Sequence, residues 1–415
     1  MIRAMSSALS GLRNHQLMLD VVGNDIANVS TIGFKGSMPI FSDLLTQTLS
    51  GAGAPTGSTG GTNPAQIGLG AGLAGTVQSF TQGSLQNTGR NSDLAIQGDG
   101  FFVIENNGVR SYTRAGSFDL DASGSLVTTD GSLVQGWQAS TTGVIDPNGP
   151  VTPVKIQVGD MLAPVETGLA TLGGNLAADA APGATTAMSI AAFDSQGTAV
   201  SIDLTFTKDL LIANRWSVTA TTGTPPVAVA LTDNVLDFNG VGELIAPADR
   251  NINIAGGAIA GMPNPITIDL GGATTSGRVT QFSGGMTAAV IDQDGAAAGT
   301  LQSYNISDDG VIHGNYSNGK TKSIGQVAMA IFTNPAGLMR TGGSWQETAA
   351  SGLAQVGIGG EGGRGALSAG TLEMSNVDLA EEFTRLIVAQ RGFQGNARVI
   401  TTSDEVLQEV VNLKH

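Results

Sequence analysis

Apolar side chains recur at alternating spacings of three and four residues near both ends of the chain. Near the C-terminus the repeat comprises Leu379, Phe383, Leu386, Gln390, Phe393, Ala397, Ile400, Asp404, Leu407 and Val411. Near the N-terminus it comprises Ile2, Met5, Leu9, Leu12, Gln16, Leu19, Gly23 and Ile26. Such spacing places one stripe of side chains along a helix, as in a coiled coil. The pattern predicts one helix over about residues 1–28 and a long last helix that begins with a capping box at Ser375 and Asp378.

Both predicted helices also carry apolar residues outside their stripes. These are Ile387, Val388, Val399, Val406 and Val410 in the last helix, and Ala8, Leu17, Met18 and Val21 in the first. A pair of helices covers one stripe on each, and every Leu or Ile left in water forgoes roughly 1.5–3 kcal/mol. The alternative is a bundle within one chain in which a third element covers the surplus residues. We expect instead a homopolymer that copies of the chain build through shared self-assembly residues. The predicted self-assembly residues are Met5, Leu9, Leu12, Leu19, Ile26, Leu379, Phe383, Leu386, Phe393, Ile400 and Leu407.

Between the helices the apolar pattern changes to a period of two with frequent glycine turns, which is typical of antiparallel sheets. We predict a multidomain α+β fold in which terminal coiled-coil-like helices flank two mostly antiparallel all-β domains, the second inserted in the first. The terminal segments 1–30 and 371–415 form the helical domain, and 31–75 is a linker or extended region. Residues 76–148 and 279–370 form an inner β domain. Residues 149–278 form the inserted outer β domain.

Composition narrows the possible functions. The chain has 415 residues, of which only 13% are charged, and its net charge is -15. No basic field exists to attract phosphates, so nucleic acid and anionic membranes are not expected partners. There is no cysteine, which excludes disulfides and thiol chemistry. No apolar run is long enough to span a bilayer, and no cleavable signal peptide is evident at the start of the chain.

Three short motifs match known ligand loops, and each has a simpler interpretation. Gly314–Thr321 fits a phosphate loop but contains the hairpin signal Asn318-Gly319 and leads into a strand pattern. The stretch 119–130 fits most of a calcium loop, yet strand-like segments flank it rather than helices. Residues 70–75 fit a dinucleotide loop, but no strand precedes them. We interpret all three as turns or connections and expect no cofactor and no metal.

Catalytic constellations are absent from the sequence. The three histidines, His15, His313 and His415, stand far apart and form no pair at metal-binding spacing. Adjacent carboxylates such as Glu381 and Glu382 fit a solvated helix face better than an acid–base pair. The protein is therefore not expected to be an enzyme.

Several long motifs resemble the bacterial flagellar rod and hook family. The N-terminal motifs are Ala8–Leu12, Asn24–Asn28 and Thr31–Gly36, and the C-terminal ones are Leu372–Asp378, Phe383, Gln390–Phe393 and Asn396–Val399. Ser92–Phe102 and Tyr112–Phe118 resemble the β domain that the family shares. Tyr316–Gly319 and Gly325–Asn334 resemble its hook branch. The family positions that we single out are Asn24, Asn28, Gly33, Phe34, Gly36, Ser375, Asn376, Asp378, Gln390 and Arg391.

The resemblance implies a structural subunit that self-assembles into a curved, flexible tube between motor and filament. It implies export without a cleaved signal, through the flagellar type III apparatus, to an extracellular position. It also implies contacts with the distal rod protein, the hook cap and the hook–filament junction proteins. The alternatives are a distal rod subunit, expected to be shorter and to lack 149–278, and a calcium-dependent secreted adhesin that uses 119–130.

Overall fold

The computed structural model describes residues 2–55, 60–271 and 278–412. The remaining parts of the predicted linker, outer domain and last helix, together with Met1 and His415, lie outside the described residues. The chain divides into two compact units. Unit 1 comprises residues 1–157, 304–313 and 323–415, and unit 2 comprises 158–303 and 314–322. Segments of unit 1 flank unit 2 in the sequence, so the predicted insertion of one β domain in another is confirmed.

The domain limits of 149 and 278 stay a prediction. The two compact units of the structure divide at other residues. Unit 2 begins at Val158 and continues to Ser303. Its later residues belong there because Ala289–Gln293 and Met161–Leu162 make strand pairs within the unit. Residues 279–303 resemble the inner domain in their pattern of short strands and turns. Such a pattern does not identify which strands pair.

Two long helices occupy the ends of the chain. They are α1 (Ile2–Ala27) and α2 (Leu379–Asn412). The predicted start of α2 at Ser375 is wrong. Asp378 caps this helix, since its Oδ1 accepts a hydrogen bond from the Ala380 amide at 2.8 Å. The backbone before it is not helical because Asn376 hydrogen-bonds to the extended Phe34–Gly36 segment.

Short strands are the most numerous elements of unit 1. Before unit 2 they are β1 Ser37–Asp43, β2 Thr46–Ser50, β3 Ala65–Gly68, β4 Ala71–Gln78, β5 Leu85–Asn87, β6 Leu94–Gln97, β7 Phe101–Asn106, β8 Val109–Thr113, β9 Phe118–Leu120, β10 Leu126–Thr128, β11 Leu133–Gln138 and β12 Thr152–Pro153. β7 and β8 form a hairpin that β11 extends. Phe101, Tyr112, Phe332 and Trp345 form its aromatic core, with ring centroids 4.8–5.8 Å apart.

The predicted linker at 31–75 is extended but also paired. β1 pairs antiparallel with β4, from Ser37 opposite Gln78 to Asp43 opposite Ala71. β2 pairs with β3 in the same way. The glycine, serine and threonine content suggests a free connection, whereas the apolar side chains spaced two apart in β1 are those of a strand.

Most strands of unit 2 belong to two sheets, and Met161–Leu162 pairs instead with Gly299 and Thr300. Its strands are β13 Met161–Leu162, β14 Leu169–Asn175, β15 Thr185–Phe193, β16 Ala199–Lys208, β17 Arg215–Thr222, β18 Val227–Val229, β19 Leu231–Thr232, β20 Val235–Phe238, β21 Leu244–Ala246, β22 Asn251–Ile254, β23 Ile266–Asp269, β24 Val279–Thr280 and β25 Ala289–Gln293. One sheet runs in the order β19-β22-β23-β14-β24 and the other β15-β16-β17-β20-β21. Side chains of both sheets share one core. β14 pairs parallel with β23 and β24, an exception in a largely antiparallel fold.

The remaining strands return the chain to α2. They are β26 Gly299–Ile306, β27 Val311–Tyr316, β28 Thr321–Val327, β29 Met329–Ile331, β30 Met339–Thr341, β31 Ser344–Gln346, β32 Gln355–Gly357, β33 Ala366–Ala369 and β34 Thr371–Glu373. β33 pairs with β6, and β34 pairs with β5. The strand that leads into α2 is thereby fixed to unit 1.

Candidate assembly surface

The terminal helices pack against each other in antiparallel orientation. Gly11 of α1 lies against Asn396 of α2, and His15 lies against Gly392, so residue numbers rise along one helix as they fall along the other. A Cβ built on Gly392 would lie 2.3 Å from His15 Nε2. Small residues therefore allow the close approach of the two helices. The expectation that the two ends of the chain meet is confirmed.

The stripe buried between the helices differs from the repeat read in the sequence. In α1 the buried side chains include Ala8, Val22 and Asp25, each one position before a residue of the predicted stripe. In α2 they are Glu382 and Ala389. Apolar periodicity selects the largest side chains, whereas the contact within one chain uses small and polar ones. The predicted stripe is thus only partly covered in the single chain.

Large apolar side chains on the helices remain in contact with solvent. Phe383 is 51% exposed, and Ile387 and Val388 are each 56% exposed. The exposed set is Leu9, Leu17, Leu379, Phe383, Ile387, Val388, Val399, Val406, Val410 and Val411, which we call the helix apolar surface. Many exposed large apolar side chains on one pair of helices are typical of an interaction site.

The residues predicted for self-assembly fall into two groups. Leu9, Leu379 and Phe383 are exposed. The half-buried ones are Met5, Leu12, Leu19, Ile26, Leu386, Phe393, Ile400 and Leu407. The three exposed residues belong to the helix apolar surface, and the half-buried ones are partly covered within the single chain. Their role in assembly stays a prediction.

A buried ion cluster fixes both helices to the β part of unit 1. Lys35 Nζ donates to Glu373 Oε1 at 2.6 Å, and Arg114 Nη1 donates to Glu373 Oε2 at 3.2 Å. All three side chains are 98–100% buried. Burial lowers the pKa of Lys35 and of Arg114, and their bonds to Glu373 oppose this shift. A single carboxylate thus connects the segment after α1, the segment before α2 and the loop after β8.

The family positions after α1 shape this cluster. Gly33 has φ +67°, and a Cβ there would lie 2.6 Å from the Ala115 amide nitrogen. Phe34 is buried under the Arg340 guanidinium, which lies 4.4 Å from the ring centroid. The Gly36 amide donates to Asn376 Oδ1 at 2.9 Å. Each position therefore has a structural reason for its residue type.

The family positions before α2 complete the junction. Asn376 Nδ2 donates to the carbonyl oxygens of Ser79 and Thr81 at 2.9 and 3.1 Å. Ser375 Oγ accepts from the Val377 amide at 3.3 Å, and Asp378 caps α2. Asn376 joins three separate segments and is the central residue of this group.

The other family positions do not enter the cluster. Asn28 Nδ2 donates to the Asn24 carbonyl oxygen at 2.8 Å, which closes the C-terminal turn of α1. Gln390 and Arg391 are exposed on α2. These two side chains are free to contact another molecule.

Sequence reasoning assigned no contact to Lys35, Glu373, Arg114 or Asp25, although all four lie inside the quoted motifs. Glu373 and Arg114 are 338 and 79 positions from Lys35 by chain numbering, so spacing gives no signal for their contact. The available signal was a charged residue within an otherwise apolar or glycine-rich motif, in a chain where charge is scarce.

Two of the three candidate ligand loops are turns, whereas residues 71–75 of the third belong to strand β4. The expectation that no strand precedes residues 70–75 is wrong, because β3 ends at Gly68. Asp121 Oδ1 accepts from the Ser123 hydroxyl and from the amides of Ser123 and Ser125. These bonds, that of the Ser123 hydroxyl first, hold the pKa of Asp121 below its usual value. Strands flank the stretch 119–130 as predicted, with β8 before it and β11 after it, and β9 and β10 lie partly inside it. Asn318-Gly319 forms the turn of a hairpin, with the Gly319 amide donating to the Tyr316 carbonyl at 3.0 Å. Among residues 2–55, 60–271 and 278–412, no group of His, Asp and Glu is arranged to hold a metal ion. Within the same ranges, neither helix is both long and apolar enough to cross a membrane.

Three family descriptions match the chain. Residues 368–413 match "Flagellar basal body rod FlgEFG protein C-terminal". Residues 95–168 match "Flagellar hook protein FlgE/F/G D1 domain", and residues 172–296 match "Flagellar basal body protein FlaE D2 domain". The second and third fall on the inner and inserted β regions, respectively.

Full-length relatives carry the same family names. The chain is 38% identical to flagellar hook protein FlgE of Borreliella burgdorferi, with 100% of both chains covered. It is 37% identical to FlgE of Escherichia coli, covering 99% of this chain and 100% of that protein. It is also 31% identical to flagellar basal-body rod protein FlgG of Bacillus subtilis, again over 100% of both. The rod alternative therefore also has a relative that aligns with the whole chain.

A solved structure gives the same fold. The crystal structure of Helicobacter pylori flagellar hook protein FlgE2 matches with a TM-score of 0.50 at 14% identity, covering 68% of this chain and 98% of that one. At this identity the likeness concerns the fold alone. The full-length relatives and the three matched regions show that the chain belongs to the FlgE/F/G family of flagellar hook and rod proteins.

Proposed function

We propose that this protein is a structural subunit of the bacterial flagellar hook that polymerises into a tube through its terminal helices. The single observation that carries the proposal is the helix apolar surface, which one chain leaves exposed on both sides of an already formed helix pair. Copies of the same chain present the same surface and can cover it. The hook names of the FlgE relatives support this reading.

The finer parts of the proposal follow from the family. The tube couples the rod to the filament as a flexible joint, and its ends meet the distal rod protein, the cap and the junction proteins. Subunits reach the outside of the cell through the flagellar type III apparatus. The relatives are named as hook and rod components rather than by a catalytic activity, which supports a structural role and no enzyme chemistry.

The rod subunit is the second candidate. The Bacillus subtilis FlgG match over the whole chain favours keeping it. Both candidates predict polymers, but a rod is straight and a hook is curved. Electron microscopy of tubes grown from purified protein distinguishes them by curvature.

The assembly test uses Ile387→Asp, which places a charge on the helix apolar surface. Since Ile387 is 56% exposed in the single chain, the monomer should stay folded while tube formation is lost. Sedimentation and electron microscopy measure tubes, and circular dichroism measures folding. Leu353→Asp is the matched control, because Leu353 is 82% exposed in a loop far from both helices along the chain. Tubes from the Ile387→Asp protein at wild-type yield would contradict the proposal.

A further inference from the structure

A cavity of about 440 Å³ lies where the end of α1 meets the beginning of α2. Its lining includes Asp25 of α1, Asp378, Glu381, Glu382 and Arg385 at the start of α2, and Asn376 before it. The volume far exceeds the roughly 30 Å³ that one water occupies. The cavity therefore has room for a side chain from another molecule.

Two carboxylates in this lining are incompletely bonded. Asp25 Oδ2 accepts from the Ser37 amide at 2.8 Å, and Glu382 Oε1 accepts from Arg385 Nη1 at 2.8 Å. The other oxygens, Asp25 Oδ1 and Glu382 Oε2, have no hydrogen-bond partner, although the side chains are only 1% and 6% exposed. A buried polar atom without a partner costs about 1–3 kcal/mol, and more when charged. Both oxygens lack a donor.

The charge of the lining identifies the missing donor as a cation. Four carboxyl groups, from Asp25, Asp378, Glu381 and Glu382, line the cavity with one guanidinium, that of Arg385. The Arg340 guanidinium also acts on Asp25, and the four carboxyl groups outnumber these two cations. Within the described parts of the chain these acids are not arranged to hold one metal ion. The two free acceptors belong to different helices. A guanidinium carries five donors in a plane and can therefore bond to acceptors on two helices better than a spherical ion can.

The same helices present the matching group. Arg3 and Arg13 of α1 and Arg391 and Arg398 of α2 are exposed. In the described chain none of these four forms an ion pair, unlike Arg385, which pairs with Glu381 and Glu382. These four cations stand on the helices that carry the helix apolar surface. A second copy brings them to the cavity.

We propose that the Asp25–Glu382 cavity binds the guanidinium of a terminal-helix arginine from a second copy of this chain. The inference rests on the proposed polymer and deepens it. It adds to the helix apolar surface a charged contact that fixes the register between two copies. Apolar contacts alone allow helices to slide, whereas a buried guanidinium–carboxylate pair specifies one position.

The first test uses the full-length monomer and L-argininamide as the probe. Titration at constant ionic strength, followed by NMR or calorimetry, should show saturable binding that Glu382→Gln weakens about tenfold. Glu361→Gln is the matched control, since Glu361 is exposed in a glycine-rich loop. Lysinamide should bind more weakly than argininamide. Equal binding to wild type and Glu382→Gln, or tighter binding of Mg²⁺ than of argininamide, would overturn the proposal.

The second test measures assembly. Glu382→Gln should raise the critical concentration for tubes about tenfold, and one of the variants Arg3→Glu, Arg13→Glu, Arg391→Glu and Arg398→Glu should do the same. Combining that arginine variant with Glu382→Arg should restore assembly. If Glu382→Gln assembles like wild type, or if no exchanged pair restores tubes, the cavity contact is refuted. If wild type itself forms no tubes, the proposed polymer fails, and the argininamide titration still decides the cavity.

Discussion

Lys35 Nζ lies 2.6 Å from Glu373 Oε1, and this contact joins positions 338 residues apart in the chain. The same carboxylate accepts from the Gly83 amide at 2.9 Å and from Arg114. Lys35 also donates to the Thr81 carbonyl oxygen at 2.7 Å. One acidic side chain thereby holds the backbone that enters and leaves the helix pair. The orientation of the assembly helices depends on it.

Replacement of Glu373 by Gln should loosen this junction. The change leaves Lys35 and Arg114 buried and without a counter-charge, and breaking a buried pair in this way costs about 3–5 kcal/mol. Hydrogen exchange of the amides in 33–37 and 371–377 measures the opening free energy. Glu361→Gln, an exposed carboxylate, should leave these amides unchanged. A loss below about 1 kcal/mol would show that the ion cluster contributes no more than a surface pair.

Replacement of Gly33 by Ala tests the backbone at the same place. The residue has φ +67°, and its new Cβ would lie 2.6–2.9 Å from backbone atoms of Arg114 and Ala115. The strained conformation alone costs about 1–2 kcal/mol, and the backbone contact adds to it. Thermal unfolding should therefore show clear destabilisation.

Gly23→Ala provides the control for that substitution. Gly23 lies inside α1, and no heavy atom lies within 4 Å of a Cβ built there. Alanine is favoured over glycine in a helix by about 1 kcal/mol, so this variant should be more stable than wild type. Equal effects of the two substitutions would mean that the Gly33 geometry does not matter.

The sequence was informative where a pattern is local. The helix over Ile2–Ala27 and the strands Ala199–Lys208 and Arg215–Thr222 follow from apolar period and turn residues, which neighbours in the chain determine. The register between α1 and α2 could not be predicted, because it depends on glycines meeting His15 and Asn396 across the pair. Nor could the Lys35–Glu373 contact, since nothing local distinguishes a buried charge from an exposed one.

The stability of the helix junction should fall as pH rises, whereas the stability of many proteins falls as pH decreases. Burial raises the pKa of Glu382, and nearby Asp25 raises it further; burial also raises the pKa of Asp25. The folded state therefore holds protons that the unfolded chain releases near pH 4. Stability from these groups is fully present below about pH 4 and is lost as pH rises through the raised folded values. In unit 2, the Arg215 guanidinium lowers the pKa of Asp237, so stability there is lost as pH falls.

Glu382→Gln isolates this effect. The amide still accepts from Arg385 but cannot ionise, so the variant should gain stability over wild type, and the gain should grow as pH rises from about 4 to 8. Comparing hydrogen exchange of α1 and α2 amides in the two proteins at each pH cancels intrinsic exchange rates. Glu361→Gln should show no such trend. A gain that is constant with pH would refute proton uptake at the junction.

Two glycines on α2 make a matched pair for testing the close approach of the helices. A Cβ on Gly392 would lie 2.3 Å from His15 Nε2, whereas nothing lies within 4 Å of one on Gly395. Gly395→Ala should therefore stabilise α2 by about 1 kcal/mol through helix propensity alone. Gly392→Ala gains the same propensity but must displace the His15 ring, and overpacking of this kind costs about 1–3 kcal/mol.

The expected result is that Gly395→Ala raises the opening free energy of α2 amides, measured by hydrogen exchange, while Gly392→Ala leaves it unchanged or lowers it. His15→Ala removes the obstructing ring and should restore the gain in the double variant with Gly392→Ala. This rescue separates packing from backbone effects, because the glycine-to-alanine change is the same in both proteins. If Gly392→Ala alone, with His15 unchanged, stabilises the helix as much as Gly395→Ala does, His15 does not restrict the residue at position 392.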